Sequence, residues 1–220
     1  MLAAACLGAL LGAVSQVASA SADRAAASLD FDKAFSTRNE PRQGHFVATY
    51  VVAGGEHRLE VWREGDGRLR RRTDDRVETY VSKAAGDVEW KMTVLDLKRR
   101  IRTDVDRTNL IRIGHFSDWF GLSHGLARPI GAYSVTSIRH PASGAAPIAA
   151  CRWYLLSQHE RTSRICWSSS QGLPLLITDG EDRVQWKVRA VDSARLSPGI
   201  FAVDDRGFVR NDANEDIKAD

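Results

Sequence analysis

Two cysteines in the second half of the chain have a spacing that suits a structural disulfide. Cys151 and Cys166 lie in strand-like runs, at 149–157 and 161–168, with a short polar stretch between them. If these runs pair as a hairpin, the cysteines stand directly opposite each other, within reach of an S–S bond. We therefore predict a Cys151–Cys166 disulfide, which persists in an oxidising compartment. A catalytic or metal-binding pair is the alternative, but the spacing is not that of a C-x-x-C motif.

The other reactive side chains form no recognisable catalytic or metal-binding pattern. Ser168, Ser169 and Ser170 precede Gln-Gly and do not form a G-x-S-x-G elbow, and the six histidines are scattered along the sequence. His115 and His124 share one predicted helix, but their spacing places them on opposite sides of it, which is poor for a joint metal site. We therefore expect no enzyme activity, no metal site and no cofactor.

Two pairs of adjacent aspartates keep a hydrolytic alternative open. The pairs Asp74–Asp75 and Asp204–Asp205 each stand beside turn residues, where aspartate side chains commonly cap backbone groups. Neither pair has a supporting partner in the sequence. A secreted hydrolase with a non-standard site is accordingly our third hypothesis, after the two binding functions given below.

The balance of charges argues against nucleic acid as a partner. The chain has 31 Lys and Arg residues against 28 Asp and Glu, a formal net charge of +3. The basic cluster at 68–72 lies directly before Asp74 and Asp75, whereas phosphate binding needs several unopposed cations. We expect no nucleic-acid partner.

The first residues have the pattern of a secretory signal peptide. Residues 1–22 contain no charge, 7–17 are apolar but too few to span a bilayer, and 18–22 hold two overlapping A-x-A cleavage patterns. The leader lacks a basic start, because nothing basic precedes Arg24, so we expect a start codon a few residues upstream. We predict export to the periplasm and removal of 1–22. A buried N-terminal helix of a cytosolic protein is the alternative.

Strict alternation of apolar and polar residues marks two half-buried β-strands. Their apolar residues are Val88, Trp90, Met92 and Val94 in the first strand and Val184, Trp186 and Val188 in the second. We expect about nine or ten strands in all, and the chain lacks a βαβ rhythm, which favours an antiparallel meander. No internal repeat or linker divides the sequence, so residues 23–220 are predicted to form one domain.

The apolar face of such a sheet needs a cover, because each large side chain left exposed forfeits about 1.5–3 kcal/mol. Two predicted helices, around 25–35 and 108–124, supply part of it. If they cover the sheet incompletely, a cavity with apolar walls remains, which is typical of hydrophobic ligand sites. A core that these side chains fill completely is the alternative.

Several local phrases resemble the periplasmic lipoprotein-carrier superfamily, which includes the lipoprotein localisation factors and the sensor domain that regulates sigma-E. The phrases are Gly44-His45-Phe46 leading to Tyr50, the Gly-Asp-Gly-Arg-Leu turn at 65–69, Gly172 to Ile177 followed by Trp186-Lys187-Val188, and Ile200 to Asp205 running to Gly207-Phe208. The hairpin with Cys151 and Cys166 and the acidic tail after Phe208 depart from that pattern.

This resemblance implies a mainly β (α+β) fold: a single strongly curved antiparallel sheet, or half-barrel, with two or three covering helices. It also implies that the sheet and its cover line a site for acyl chains. The implied lining is Val88, Trp90, Met92, Val94, Val184, Trp186 and Val188, covered by Phe116, Trp119 and Phe120.

The leading hypothesis is a periplasmic, non-catalytic carrier or binding protein for a lipid, a lipidated protein or another hydrophobic ligand. The second hypothesis is an envelope sensor or interaction protein that contacts a membrane-bound regulatory partner.

Overall fold

Twelve β-strands form one sheet in the computed structural model, which describes residues 28–52, 55–84, 86–87, 89–106, 108–109, 118–139 and 145–213. The predicted signal peptide at 1–22 lies outside these residues. The strands are β1 (Gln43–Val52), β2 (Gly55–Glu64), β3 (Arg68–Thr73), β4 (Val77–Ser82), β5 (Lys91–Asp96), β6 (Ile101–Asp106), β7 (Ser134–Ile138), β8 (Arg152–Gln158), β9 (Arg161–Ser168), β10 (Leu173–Asp179), β11 (Val184–Asp192) and β12 (Val209–Asp212).

The strand order is β12-β6-β5-β4-β3-β2-β1-β11-β10-β9-β8-β7, so β12 and β7 are edges and the sheet is not closed. Two antiparallel meanders, β1 to β6 and β7 to β11, join through the antiparallel pair of β1 and β11. This architecture confirms a mainly β fold, whereas the strong curvature of a half-barrel stays a prediction. The β6–β12 pair is parallel, which the meander did not predict.

Two α-helices, α1 (Phe31–Ala34) and α2 (Trp119–His124), and a 3-10 turn (Pro198–Phe201) lie within the described residues. Both α-helices are shorter than the predicted segments at 25–35 and 108–124, parts of which the structure does not describe. The number of covering helices therefore stays a prediction. In the described part of the chain, no helix has the length and apolar character needed to cross a membrane.

Both α-helices pack against one face of the sheet, which we call the helical face. On β1 and β2 this face carries Phe46 opposite Val61 and Ala48 opposite Leu59, all buried. Leu122 of α2 belongs to the same core. The strands therefore place every second side chain under the helical cover, as their alternation dictates.

A second core joins α1 and α2 to the far end of the sheet. Phe35, at the end of α1, contacts Trp167 of β9 with ring centroids 5.5 Å apart. Phe120 of α2 stacks on the same tryptophan at 5.9 Å and meets Phe31 of α1 at 5.6 Å. These aromatic contacts fix the two short helices to each other and to β9.

The predicted disulfide is present, with the Cα atoms of Cys151 and Cys166 separated by 5.4 Å. The predicted register is wrong, because Cys166 lies opposite Trp153 and not opposite Cys151. The hairpin turns on two residues only, and Gln158 already pairs with Arg161. Cys151 therefore precedes β8 and reaches its partner diagonally.

The segment after β11 crosses the face opposite to the helices, which we call the outer face. The carbonyl of Ile200 accepts a hydrogen bond from Arg70 at 3.3 Å, and the ring of Phe201 lies under Arg68. Asp205 then pairs with Arg102 of β6 at 2.7 Å. Because the chain reaches the β6 edge across a face and not through a hairpin, β12 joins parallel to β6.

Candidate functional site

A cavity of about 720 Å³ lies between α2 and the helical face of the sheet. Its volume is within the range of about 300–1,000 Å³ that small-molecule sites occupy. The walls are mostly apolar. The lining residues are Tyr50, Val51, Leu59, Arg71, Thr73, Val77, Thr79, Asp118, Gly121, Leu122, Gly125, Ala127, Arg128, Ile130, Ile177, Gln185 and Trp186.

Cross-strand pairing builds the floor of the cavity. Thr73 of β3 lies opposite both Leu59 of β2 and Val77 of β4, so the three side chains share one face. On the other side, Ile177 of β10 lies opposite Trp186 of β11. The floor therefore has two halves, one from β2 to β4 and one from β10 and β11.

Helix α2 forms the roof, and its ends are defined by the sequence. Asp118 caps its first turn by accepting hydrogen bonds from the backbone N–H groups of Phe120 and Gly121, both at 3.1 Å. Gly125 ends the helix in a left-handed conformation, with φ 74°. A Cβ at Gly125 would stand 2.4 Å from the ring of Trp186, so the glycine lets the roof lie directly on the floor.

A network of buried polar groups also holds the roof at its C-terminal end. Glu40, in the segment before β1, accepts a hydrogen bond from Arg63 at 2.7 Å and lies 2.8 Å from Nε2 of His124. Arg63 is almost fully buried, and this burial lowers its pKa, while Glu40 opposes the shift. The network links β2, the entry to β1 and the end of α2.

Exposed apolar side chains stand at the mouth of the cavity. Val51 is 38% exposed and Ile130 is 87% exposed, and both also line the cavity. Arg128 lies at the same rim over the ring of Phe120 and is neutralised by a salt bridge to Asp32. The rim therefore presents apolar surface and a paired charge to solvent.

Arg71 projects from β3 into this cavity. Its Nη1 donates a hydrogen bond to the carbonyl of Leu122 at 3.2 Å. The residue is half-buried, with the cavity on one side and protein around the rest of the side chain. This burial lowers the pKa of the guanidinium. No carboxylate of the described residues lies within ion-pairing distance of Arg71.

The predicted lining residues occupy several places in the molecule. Val88 and Phe116 lie outside the described residues. Trp186 lines the large cavity, and Val184 lines a smaller one of about 220 Å³ beside it. The remaining six residues belong to or pack against the two cores: Trp90, Met92, Val94, Trp119 and Val188 in the main core and Phe120 in the second. Their part in ligand binding stays a prediction.

Sequence reasoning missed most of the cavity wall. Arg71 was included in the basic cluster at 68–72, although alternation from the buried Leu69 places it on the apolar side of β3. That alternation was the available signal. Val77 and Leu59 lie in strands with less regular patterns, and Ile130 follows α2 in a loop that no periodicity predicts.

Among the described residues, no group of three or more His, Cys, Asp or Glu side chains is placed to hold a metal ion. No protein-family model matches the sequence, and no curated protein matches it. One similar solved structure is a crystal structure of MucB, with 14% identity and a TM-score of 0.38. The alignment covers 78% of this chain and 61% of MucB, which is less than two thirds of that chain. A likeness of this extent identifies neither a family nor a function.

Proposed function

We propose that the protein is a non-catalytic carrier or binding protein for a lipid or another hydrophobic ligand, which it holds in the cavity beneath α2. The observation that carries this proposal is the cavity itself, about 720 Å³ in volume with mostly apolar walls. Each methylene group removed from water contributes about 0.8 kcal/mol. An acyl segment of roughly ten methylenes would therefore gain about 8 kcal/mol before the costs of association.

The short roof supports a role in uptake and release. Helix α2 has only six residues, held by the packing of Phe120 and Leu122 in the two cores and by polar contacts such as Glu40 to His124. Displacement of so small an element would open the cavity along its length without unpairing any strand. We therefore propose that the ligand enters and leaves by movement of α2.

The leader and the disulfide support a periplasmic location. The signal-like pattern at 1–22 and the Cys151–Cys166 bond both suit an oxidising compartment outside the cytoplasm. Mass spectrometry of the protein from its native host should give a mature chain that begins after residue 20 or 22. An intact leader on the folded protein would contradict this location.

Titration of the delipidated protein with a fluorescent fatty acid tests the binding function. We expect saturable binding to one site, which Val77→Trp should weaken because the indole would occupy part of the cavity floor. Val209→Trp is the matched control, because Val209 is 71% exposed on β12, away from the cavity. Absence of saturable binding, or equal binding by both variants, would contradict the proposal.

A second candidate function, a sensor that contacts a membrane-bound partner, draws support from the exposed Val51 and Ile130 at the mouth. Affinity capture from envelope extracts separates the two functions. A carrier should retain lipid, whereas a sensor should retain one specific protein, and Val51→Ser with Ile130→Ser should abolish that capture.

A further inference from the structure

Arg71 differs from the other arginines of its strand in the partners that it has. Arg68 pairs with Glu64, Arg70 with Glu78 at 2.7 Å, and Arg72 with Asp75 at 3.1 Å. Arg71 has no such carboxylate among the described residues. Strand β3 therefore contains four arginines. Three of them have a carboxylate partner, whereas Arg71, which lines the cavity, has none within the described protein.

The hydrogen bonds of Arg71 satisfy only part of its capacity. A guanidinium has five N–H donors, and the carbonyl of Leu122 accepts from one nitrogen, Nη1. Its direct partners on the neighbouring strands are Val61 of β2 and Thr79 of β4, and neither is a carboxylate. Within the described part of the chain, the one group with a favourable electrostatic effect on Arg71 is the phenol of Tyr50, which also lines the cavity. The guanidinium stays charged at neutral pH, so the cavity wall contains a positive charge that the described protein does not balance.

Such a charge is costly unless something compensates it. A buried cation loses hydration, and only an anion with good geometry offsets that loss. An apolar side chain at this position would extend the hydrophobic wall that the neighbouring Leu59 and Val77 already form. An anionic group on the ligand would offset the cost of burying the Arg71 guanidinium.

The wall around Arg71 provides further polar contacts for a head group. Thr79 lies directly opposite Arg71, and Thr73 stands two residues along the same strand, both lining the cavity. Their hydroxyl groups can donate to an oxyanion. The opposite half of the floor, with Ile177 and Trp186, is mainly apolar and suits a hydrocarbon chain.

From this arrangement, and given the binding function proposed above, we infer that the ligand is an amphiphile with an anionic head group. Its carboxylate or phosphate pairs with Arg71 inside the cavity, and its chain lies along the apolar half of the floor.

Competition with a neutral fluorescent probe, Nile red, tests the inference on the delipidated protein. Dodecanoate and dodecyl phosphate distinguish the two anions, and dodecanol is the neutral ligand of equal chain length. We expect at least one anion to bind about tenfold or more tightly than dodecanol, the expected effect of a charge-assisted hydrogen bond. Arg71→Met should remove that preference, so that the two anions bind no more tightly than dodecanol does to the same variant.

Arg76→Met is the matched control, because Arg76 is exposed in the turn between β3 and β4. It should leave all three affinities as they are. Equal binding of dodecanol and both anions by the wild-type protein would overturn the inference while preserving the binding function, and this comparison needs no variant. A parallel loss of all three ligands in a folded Arg71→Met protein would assign Arg71 a structural role and also overturn it. Failure of every ligand to bind the wild-type protein would refute the binding function itself.

Discussion

The two faces of β3 use the same residue type in opposite ways. On the outer face, Arg70 and Arg72 share the buried carboxylate of Glu78, and Arg70 lies over the rings of Trp62 and Tyr80. On the helical face, Arg71 meets one backbone carbonyl and an open cavity. The outer-face arginines have carboxylate partners within the protein, whereas Arg71 borders the cavity and is available to a ligand. The comparison predicts that the two faces respond differently to mutation.

The largest expected effect is the loss of stability on changing the outer-face carboxylate. Glu78→Gln removes the charge that Arg70 contacts at 2.7 Å and that the hydroxyl of Tyr80 donates to at 2.6 Å. We expect the free energy of unfolding in urea to fall by about 3 kcal/mol, because the partly buried Arg70 and Arg72 lose the carboxylate that they share. Asp66→Asn is the control, since Asp66 is exposed and its pairing with Lys83 contributes little. If Glu78→Gln unfolds with an unchanged free energy, the ion pairs of the outer face do not contribute to stability.

A second prediction concerns the roof over the helical face. Gly125→Ala forces a Cβ into the left-handed region and against Trp186, and we expect a loss of about 2 kcal/mol together with weaker ligand binding. Gly131→Ala has the same backbone strain at φ 84° but no neighbour within 4 Å. It should cost about 1 kcal/mol and leave binding unchanged. If Gly125→Ala and Gly131→Ala lower stability and binding equally, the close contact of Gly125 with Trp186 does not matter for either property.

A third, smaller effect is expected for Arg71 itself. Arg71→Met removes one hydrogen bond but also removes an unbalanced charge from the cavity wall. We expect the free energy of unfolding to change by less than about 1 kcal/mol in the absence of ligand. Unfolding in urea measures the free energy of unfolding of Arg71→Met and of Glu78→Gln under the same conditions. A loss as large as that of Glu78→Gln would remove the distinction between the two faces.

The smallest predicted change is in the titration of Tyr80. Burial, followed by the hydrogen bond to Glu78, raises the pKa of Tyr80 above its ordinary value of about 10. The stability linked to its proton is therefore present below pH ~10 and is lost as the pH rises through the folded-state pKa. Ultraviolet difference titration against Tyr80→Phe should show late ionisation, and Glu78→Gln should shift it to lower pH. Ionisation of Tyr80 at about pH 10, the ordinary value for a tyrosine, would contradict the buried outer-face network.

The sequence was sufficient where the physical signal is local. Strict alternation predicts that Met92 and Val188 are buried side chains of a sheet, and both are. The cysteine pair was likewise predictable from two apolar runs about a polar turn. Its register was not, because His159 adopts a left-handed φ of 53° that closes the hairpin in two residues, and composition does not indicate this conformation.

The remaining errors concern long-range structure. The parallel joining of β12 depends on contacts such as Asp205 to Arg102, which lie far apart in the sequence. The cavity wall combines β2 to β4 with β10, β11 and the loop after α2, and no periodicity within one segment indicates that they meet. Arg71 was the recoverable case, since alternation within β3 separates it from Arg70 and Arg72.

Photo-crosslinking with a diazirine-bearing fatty acid tests the central claim most directly. After irradiation of the delipidated, saturated protein, peptide mapping should place the label on the cavity floor, at segments that contain Leu59, Val77 or Ile177. Competition with unlabelled fatty acid should remove that label. Labelling distributed over exposed apolar residues such as Ile148 and Val209, without competition, would contradict a ligand site beneath α2.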